Sequence, residues 1–237
     1  MVVSMSSQSD RRMAVTLAFV LALGGAACEA GDPSAEARPG TAPRSAAIRA
    51  NRPRVVVLGD SLTAGLGLPI DESFPSVLQR RIDDAGFDFE IVNAGSSGDT
   101  SAGGLRRLDW SLGGDVRILI LALGANDGLR GLSIEQMREN LSSIIEQAQA
   151  RGILVLLAGM EALPNFGPEY TATFRGVYPE LAARYDVALV PFLLAGVAGN
   201  PALNQADGVH PNAEGARRVA AVVWPELEPL IEAASTE

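Results

Sequence analysis

From Arg54 onward, short apolar runs alternate with longer stretches in which apolar residues recur every three or four positions. The runs are Arg54–Gly59, Phe89–Asn93, Val116–Leu123, Ile153–Ala158 and Val187–Pro191. They are rich in Val, Ile and Leu and stop at or just before Gly, Asn or Pro, the pattern of short strands buried on both faces. Of the stretches between them, Ser133–Arg151 is the clearest helix. Ile134, Met137, Leu141, Ile144, Ile145 and Ala148 line one face, Ser133 and Gln136 have the spacing of a capping box, and Gly152 marks the stop. Further helices are predicted over Phe74–Ala85, Glu169–Arg184 and Ala213–Trp224, the last capped by Asn212. Strand–helix alternation predicts an α/β fold, a central parallel sheet of about five strands covered by helices on both faces. Ligands of such sheets bind beyond the carboxyl ends of the strands.

Before Arg54 this pattern is absent. Arg11-Arg12 precedes an apolar stretch, Met13 to Ala27, that ends in small residues and is too short to span a bilayer comfortably. Residues 1–27 thus resemble a bacterial secretion signal, and Leu23-Gly24-Gly25-Ala26-Ala27-Cys28 resembles a lipoprotein box, which implies that Cys28 is acylated and heads the mature chain. Residues 28–53 are rich in Ala, Pro, Gly and Arg with no apolar period, so they are expected to form a flexible tether before a single domain over 54–237. An exported, periplasmic protein held to a membrane by its N-terminus is the expectation. Cys28 is the only cysteine, which excludes an intramolecular disulfide.

The formal net charge is −9, and removing residues 1–27, which carry Asp10, Arg11 and Arg12, takes it to −10. That balance disfavours nucleic acid and other polyanionic partners. A monomer acting on a small molecule is expected.

The chemistry concentrates in a few loops. His210 is the only histidine and sits in Asp207-Gly208-Val209-His210-Pro211. Ser61 follows the first predicted strand in Gly59-Asp60-Ser61-Leu62. A serine nucleophile needs a base, and the base needs a group that fixes its tautomer. Asp207, three residues before His210, is placed to do so. Thr63 stands where the classical α/β-hydrolase elbow has its second glycine. Asp60, Asn93, Asp99 and Asp127 read as loop hydrogen-bonding groups, and Arg106, Arg107 and Arg130 as solvated or bracing side chains. No ligand cluster is left over for a metal, and no cofactor is expected.

Four blocks occur in order: Gly59-Asp60-Ser61-Leu62, Asn93 to Thr100, Gly124-Ala125-Asn126-Asp127, and Asp207 to Pro211. Together they resemble the GDSL, or SGNH, hydrolase family. Ser97-Gly98-Asp99-Thr100-Ser101, Asn126 to Gly131 and Asp207 to Asn212 are similar to its bacterial periplasmic arylesterase, acyl-CoA thioesterase and lysophospholipase branch. The resemblance implies a flavodoxin-like three-layer α/β/α sandwich. It implies Ser61 as nucleophile, His210 as base and Asp207 as its partner. It also implies an oxyanion hole made by the backbone N–H groups of Ser61 and Gly98 and the side-chain amide of Asn126. Ala125 departs from the family, which often has a second glycine there.

Two segments, Glu161–Arg175 with Leu163, Pro164, Phe166, Tyr170 and Phe174, and Phe192–Ala206 with Leu193, Leu194, Val197 and Leu203, are expected near the catalytic face. About half of these side chains should pack beneath the loops and the rest should meet an acyl chain. The leading expectation is hydrolysis of acyl esters and thioesters. The alternatives are a carbohydrate O-deacetylase, on the same constellation, and a lipid-binding lipoprotein without turnover.

Overall fold

A computed structural model of the chain describes residues 52–236. The leader, Cys28 and all of the tether before Arg52 lie outside the described residues. Five parallel strands form one sheet in the order β2-β1-β3-β4-β5. They are β1 (Arg54–Gly59), β2 (Glu90–Gly95), β3 (Val116–Ala122), β4 (Leu154–Ala158) and β5 (Ala188–Val190). The central strands carry the core: Val55, Val56, Val57, Leu58, Ile118, Leu119, Ile120 and Leu121 have no exposed surface.

Helices cover both faces. On one face α2 (Phe74–Asp84) packs against α8 (Ala213–Ala234), and on the other α3 (Ser101–Arg106), α6 (Ile134–Gln149) and α7 (Pro168–Tyr185) pack in succession. Shorter helices are α1 (Ser61–Ala64), α4 (Leu108–Ser111) and α5 (Ala125–Leu129). This is the three-layer α/β/α sandwich. The strand order reverses between β1 and β3, and the register sets Gly59 opposite both Gly95 and Ala122. The loops after β1, β2 and β3 therefore leave the sheet at one height, at the crevice where doubly wound folds bind ligands.

Three elements differ from the sequence pattern. β2 runs two residues past Asn93 to Gly95, and of its six residues only Ala94 is buried, because it is an edge strand whose apolar partner Phe89 packs into the core from the preceding loop. Helix α8 continues ten residues beyond Trp224, through Pro225 and Pro229. Both prolines face solvent, where the backbone carbonyls they leave without a helical donor can meet water. The row Val219, Val223, Leu227 and Ile231 meanwhile stays in the core. Ser133 caps α6 by accepting from Gln136 N–H at 3.3 Å, but the Gln136 side chain bonds Glu139, so only half of the capping box forms.

The described chain enters at Arg52, beside the amino-terminal end of β1. Helix α8 begins just after the loop that carries His210 and, at 22 residues, runs back about 33 Å. Both ends of the domain therefore lie on the side of the sheet away from the strand carboxyl ends.

Candidate active site

Ser61 opens α1, a single turn wedged into the notch where β1 and β2 end. Glycines make the notch. A Cβ on Gly59 would sit 2.0 Å from Thr63 Oγ1, and one on Gly95 would sit 2.2 Å from Ala64 N. Asp60 caps the turn by accepting from Leu62 N–H at 3.0 Å, and Asn93 Nδ2 donates to Thr63 O at 2.9 Å. The serine is thus held on a turn fixed from three sides.

The histidine arrives on the loop before α8. Asp207 Oδ1 accepts from Val209 N–H at 2.9 Å and from His210 N–H at 3.0 Å, leaving Oδ2 to meet His210 Nδ1 at 2.7 Å. A carboxylate can only accept, so Nδ1 carries the proton and Nε2 is the free acceptor. Ser61 Oγ lies 2.9 Å from that Nε2. The N–H of His210, its ring and the N–H of Val209 hold the Asp207 carboxyl down at a pKa of about 2. Gln205 fastens the loop across to the segment after Ser61, donating to Leu66 O at 2.7 Å and Pro211 O at 3.0 Å.

Gly98 follows β2 at φ +85°, backbone that favours glycine, and its carbonyl accepts from Arg130 Nη2 at 2.8 Å. Asn126 sits on α5, and its Nδ2 donates to Asp99 O at 2.9 Å and contacts Asp60 Oδ2 at 3.3 Å. Ser61, Gly98, Asn126 and His210 line a single pocket of about 390 Å³, and Ala125 lies on its wall. Asp207 stands behind the imidazole, outside the pocket lining.

The aspartates do not act alike. Asp127 is buried and accepts from Ser101 N–H at 2.8 Å and from Ser101 Oγ at 2.7 Å, a structural tie. Asp99 pairs with Arg107 Nε at 2.6 Å. Asp60 is 1% exposed, and burial raises its pKa to about 6 against the pull of Leu62 N–H and the His210 charge. In the unfolded chain its value returns to 3.8, so the charged form costs the fold about 3 kcal/mol at neutral pH. That cost is relieved as pH falls through about 6, because the folded carboxyl takes up a proton before the unfolded one does.

Two supports go beyond the sequence pattern. Arg107 spans the ends of β1 and β2, donating to Gly59 O and Ala94 O at 2.7 Å each as well as to Asp99. No periodicity marks it out. The second is an aromatic ladder: Phe166, Tyr170, Phe174 and Tyr178 contact one another in turn, tilted, stacked and edge-on, with centroid separations of 5.2, 6.2 and 5.9 Å. Their four-residue spacing is visible in the chain, and Tyr170 and Phe174 lie on α7, within the helix predicted over Glu169–Arg184. The ladder seats against the segment that carries Asn126. Cβ atoms at Gly124, Gly128 and Gly131 would fall 2.2, 3.0 and 2.6 Å from Tyr178, Phe174 and Phe166. Tyr178 and Tyr170 also donate to Leu123 O at 3.0 Å and Leu132 O at 3.1 Å.

The pocket wall is largely apolar: Leu62, Leu66, Leu129, Met160, Leu163, Phe192, Leu194 and Val209 contribute. Of the side chains expected there, Leu163 and Leu194 reach the pocket, whereas Phe174, Leu193 and Val197 are core.

A parallel α/β/α sandwich with a serine, an imidazole and a carboxylate in line at the strand ends defines a serine hydrolase. Residues 57–218 match the GDSL-like lipase/acylhydrolase family, and the chain belongs to it. It is 45% identical over 178 residues to esterase TesA of Pseudomonas aeruginosa, covering 75% of this chain and 89% of that one. It is 39% identical over 184 residues to an arylesterase of Vibrio mimicus, covering 77% and 92%. Identity to thioesterase 1/protease 1/lysophospholipase L1 of Escherichia coli (strain K12) is 35% over 178 residues, covering 75% and 84%. A crystal structure of TesA superposes with a TM-score of 0.72 at 45% identity, covering 75% of this chain and 99% of that one. The protein is accordingly an ester hydrolase of the GDSL serine-esterase type.

Proposed function

We propose that the protein hydrolyses carboxylic esters and thioesters of acyl chains through an acyl-enzyme on Ser61. The observation that carries this is the in-line set Ser61 Oγ, His210 and Asp207, at 2.9 and 2.7 Å, opening into a pocket with apolar walls. Ser61 Oγ bonds to the acyl carbon while its proton passes to His210 Nε2. The carbonyl electron pair moves to the oxygen, where the N–H groups of Ser61 and Gly98 and the Asn126 amide stabilise it. The tetrahedral centre collapses, the bond to the leaving oxygen or sulfur breaks, and that atom takes the proton from Nε2. Water then repeats the sequence and frees the carboxylic acid.

The relatives named as esterase, arylesterase and thioesterase support this substrate range. A carbohydrate O-deacetylase is disfavoured by the leucines and Phe192 that wall the pocket, and a non-catalytic lipid carrier by the aligned serine and imidazole. The test is a series of 4-nitrophenyl esters of increasing chain length run beside acetylated polysaccharide. Rising kcat/KM with chain length through the medium acyl esters is the expected result. Acetate release from the polysaccharide with no response to chain length would overturn it.

The chain is further proposed to be exported and anchored through Cys28. Support comes from the leader, from Ala26-Ala27-Cys28, and from a tether whose root-mean-square reach is about 25–30 Å. The two or three acyl chains of a bacterial lipoprotein are enough for stable anchoring. Cys28→Ser is expected to abolish palmitate labelling and membrane fractionation while leaving specific activity unchanged. A wild type that takes up no label and stays soluble would reject the anchor.

A further inference from the structure

Asp60 is the buried carboxylate that this mechanism leaves without a role. Oδ1 is taken by the N–H of Leu62, so Oδ2 alone is left to face Asn126 Nδ2. The amide has two hydrogens. One goes to Asp99 O at 2.9 Å, on a loop pinned by the Arg107–Asp99 pair. The other meets Asp60 Oδ2 at 3.3 Å, a long contact that holds the amide plane without saturating the hydrogen. Both neighbours of Nδ2 are pure acceptors, so the amide cannot turn over and present Oδ1 to them.

We propose that Asp60, as an ionised carboxylate, is a positioning residue that locks the side-chain amide of Asn126 in the orientation that donates to the oxyanion. This rests on the reading of Asn126 as an oxyanion donor. Protonation would undo the lock. With Oδ1 committed to Leu62 N–H, the proton resides on Oδ2 and opposes the Asn126 N–H, donor against donor. The charged and titratable groups around Asp60 come from three elements. His210 approaches from the catalytic loop and Tyr178 from α7, while Asp127, next to Asn126 on α5, has its carboxylate engaged by Ser101. Arg107 reaches the same region but spends its donors on Gly59 O, Ala94 O and Asp99.

Two measurements on the full chain test this. In the first, the side-chain amide resonance of Asn126, assigned by its loss in Asn126→Ala, is followed by NMR from about pH 5 to 8. It is expected to titrate with a midpoint near 6 in the wild type and to lose that step in Asp60→Asn. Asp60→Asn changes no other titratable group, so the difference isolates Asp60. In the second, Asp60→Asn is expected to lower kcat by about 10–100-fold with KM within about twofold, and Asp60→Asn/Asn126→Ala to be no worse than Asn126→Ala. The Leu62 cap survives in that variant, because the amide oxygen can replace Oδ1. An Asn126 resonance that is flat across the range, or losses that multiply in the double variant, would overturn the proposal. Where Asp60→Asn does not fold, the titration is repeated in His210→Asn, in which the step is expected to persist and its loss would overturn the proposal. The titration also requires no turnover, so a failure of the oxyanion assignment itself would show separately, as an Asn126→Ala variant with undiminished kcat.

Discussion

Ser61→Ala is expected to lower kcat by about 10⁴–10⁶-fold, and His210→Ala by a similar amount. The double variant should be little worse than either, because Ser61 Oγ and His210 Nε2 share one proton across 2.9 Å and neither group works without the other. Binding energy and the oxyanion donors remain, so some rate above the uncatalysed reaction should persist. Folding should be unaffected: among the described residues the Ser61 side chain hydrogen-bonds to His210 alone, and α1 is capped by Asp60. Turnover of a short 4-nitrophenyl ester measures the loss. Independent, multiplying losses would contradict a shared mechanism. A fluorophosphonate adduct on any serine other than Ser61 would reject the nucleophile outright.

Asn126→Ala should be the next largest loss, about 10²–10³-fold in kcat, or about 3–4 kcal/mol of transition-state stabilisation. KM should hardly change, since the amide is aimed at charge that develops only after attack. The variant also gives up the hydrogen bond to Asp99 O, but that carbonyl belongs to a loop still held by the Arg107 pair, so the fold should survive. Unchanged kcat in a folded variant would make Asn126 a structural residue. A fall in kcat with a proportionate rise in KM would instead indicate a role in ground-state binding.

The sheet was legible in the sequence because parallel strands are buried on both faces and read as unbroken apolar runs. β1 matches its run residue for residue, and β3 and β4 differ by one residue at one end. Edges blurred where burial was one-sided, as in β2, or where a local rule met a tertiary override, as in α8, whose core row outweighs two exposed prolines. The serine, histidine and aspartate could be nominated because His210 is unique and Asp207 lies three residues before it. Asp60 was equally visible and read as a loop hydrogen-bonding group, which its bond from Leu62 N–H bears out, but nothing in the sequence paired it with Asn126. Its 1% exposure and its contact with Asn126, 66 positions away, arise only when β1 and β3 lie side by side. Arg107 illustrates the same limit, since its acceptors at Gly59, Ala94 and Asp99 come from separate segments.

The placement of the chain ends has a practical side. The pocket opens at the strand carboxyl ends, whereas the polypeptide joins the domain at Arg52 and leaves it along the far end of α8. All 19 of the Lys+Arg positions are arginine, so no side chain carries a primary amine. Amine-directed coupling to a resin or sensor chip therefore finds no side-chain target on the domain. Ordinary amine chemistry would leave the face that carries the pocket unmodified, so coupling by that route cannot itself block substrate entry.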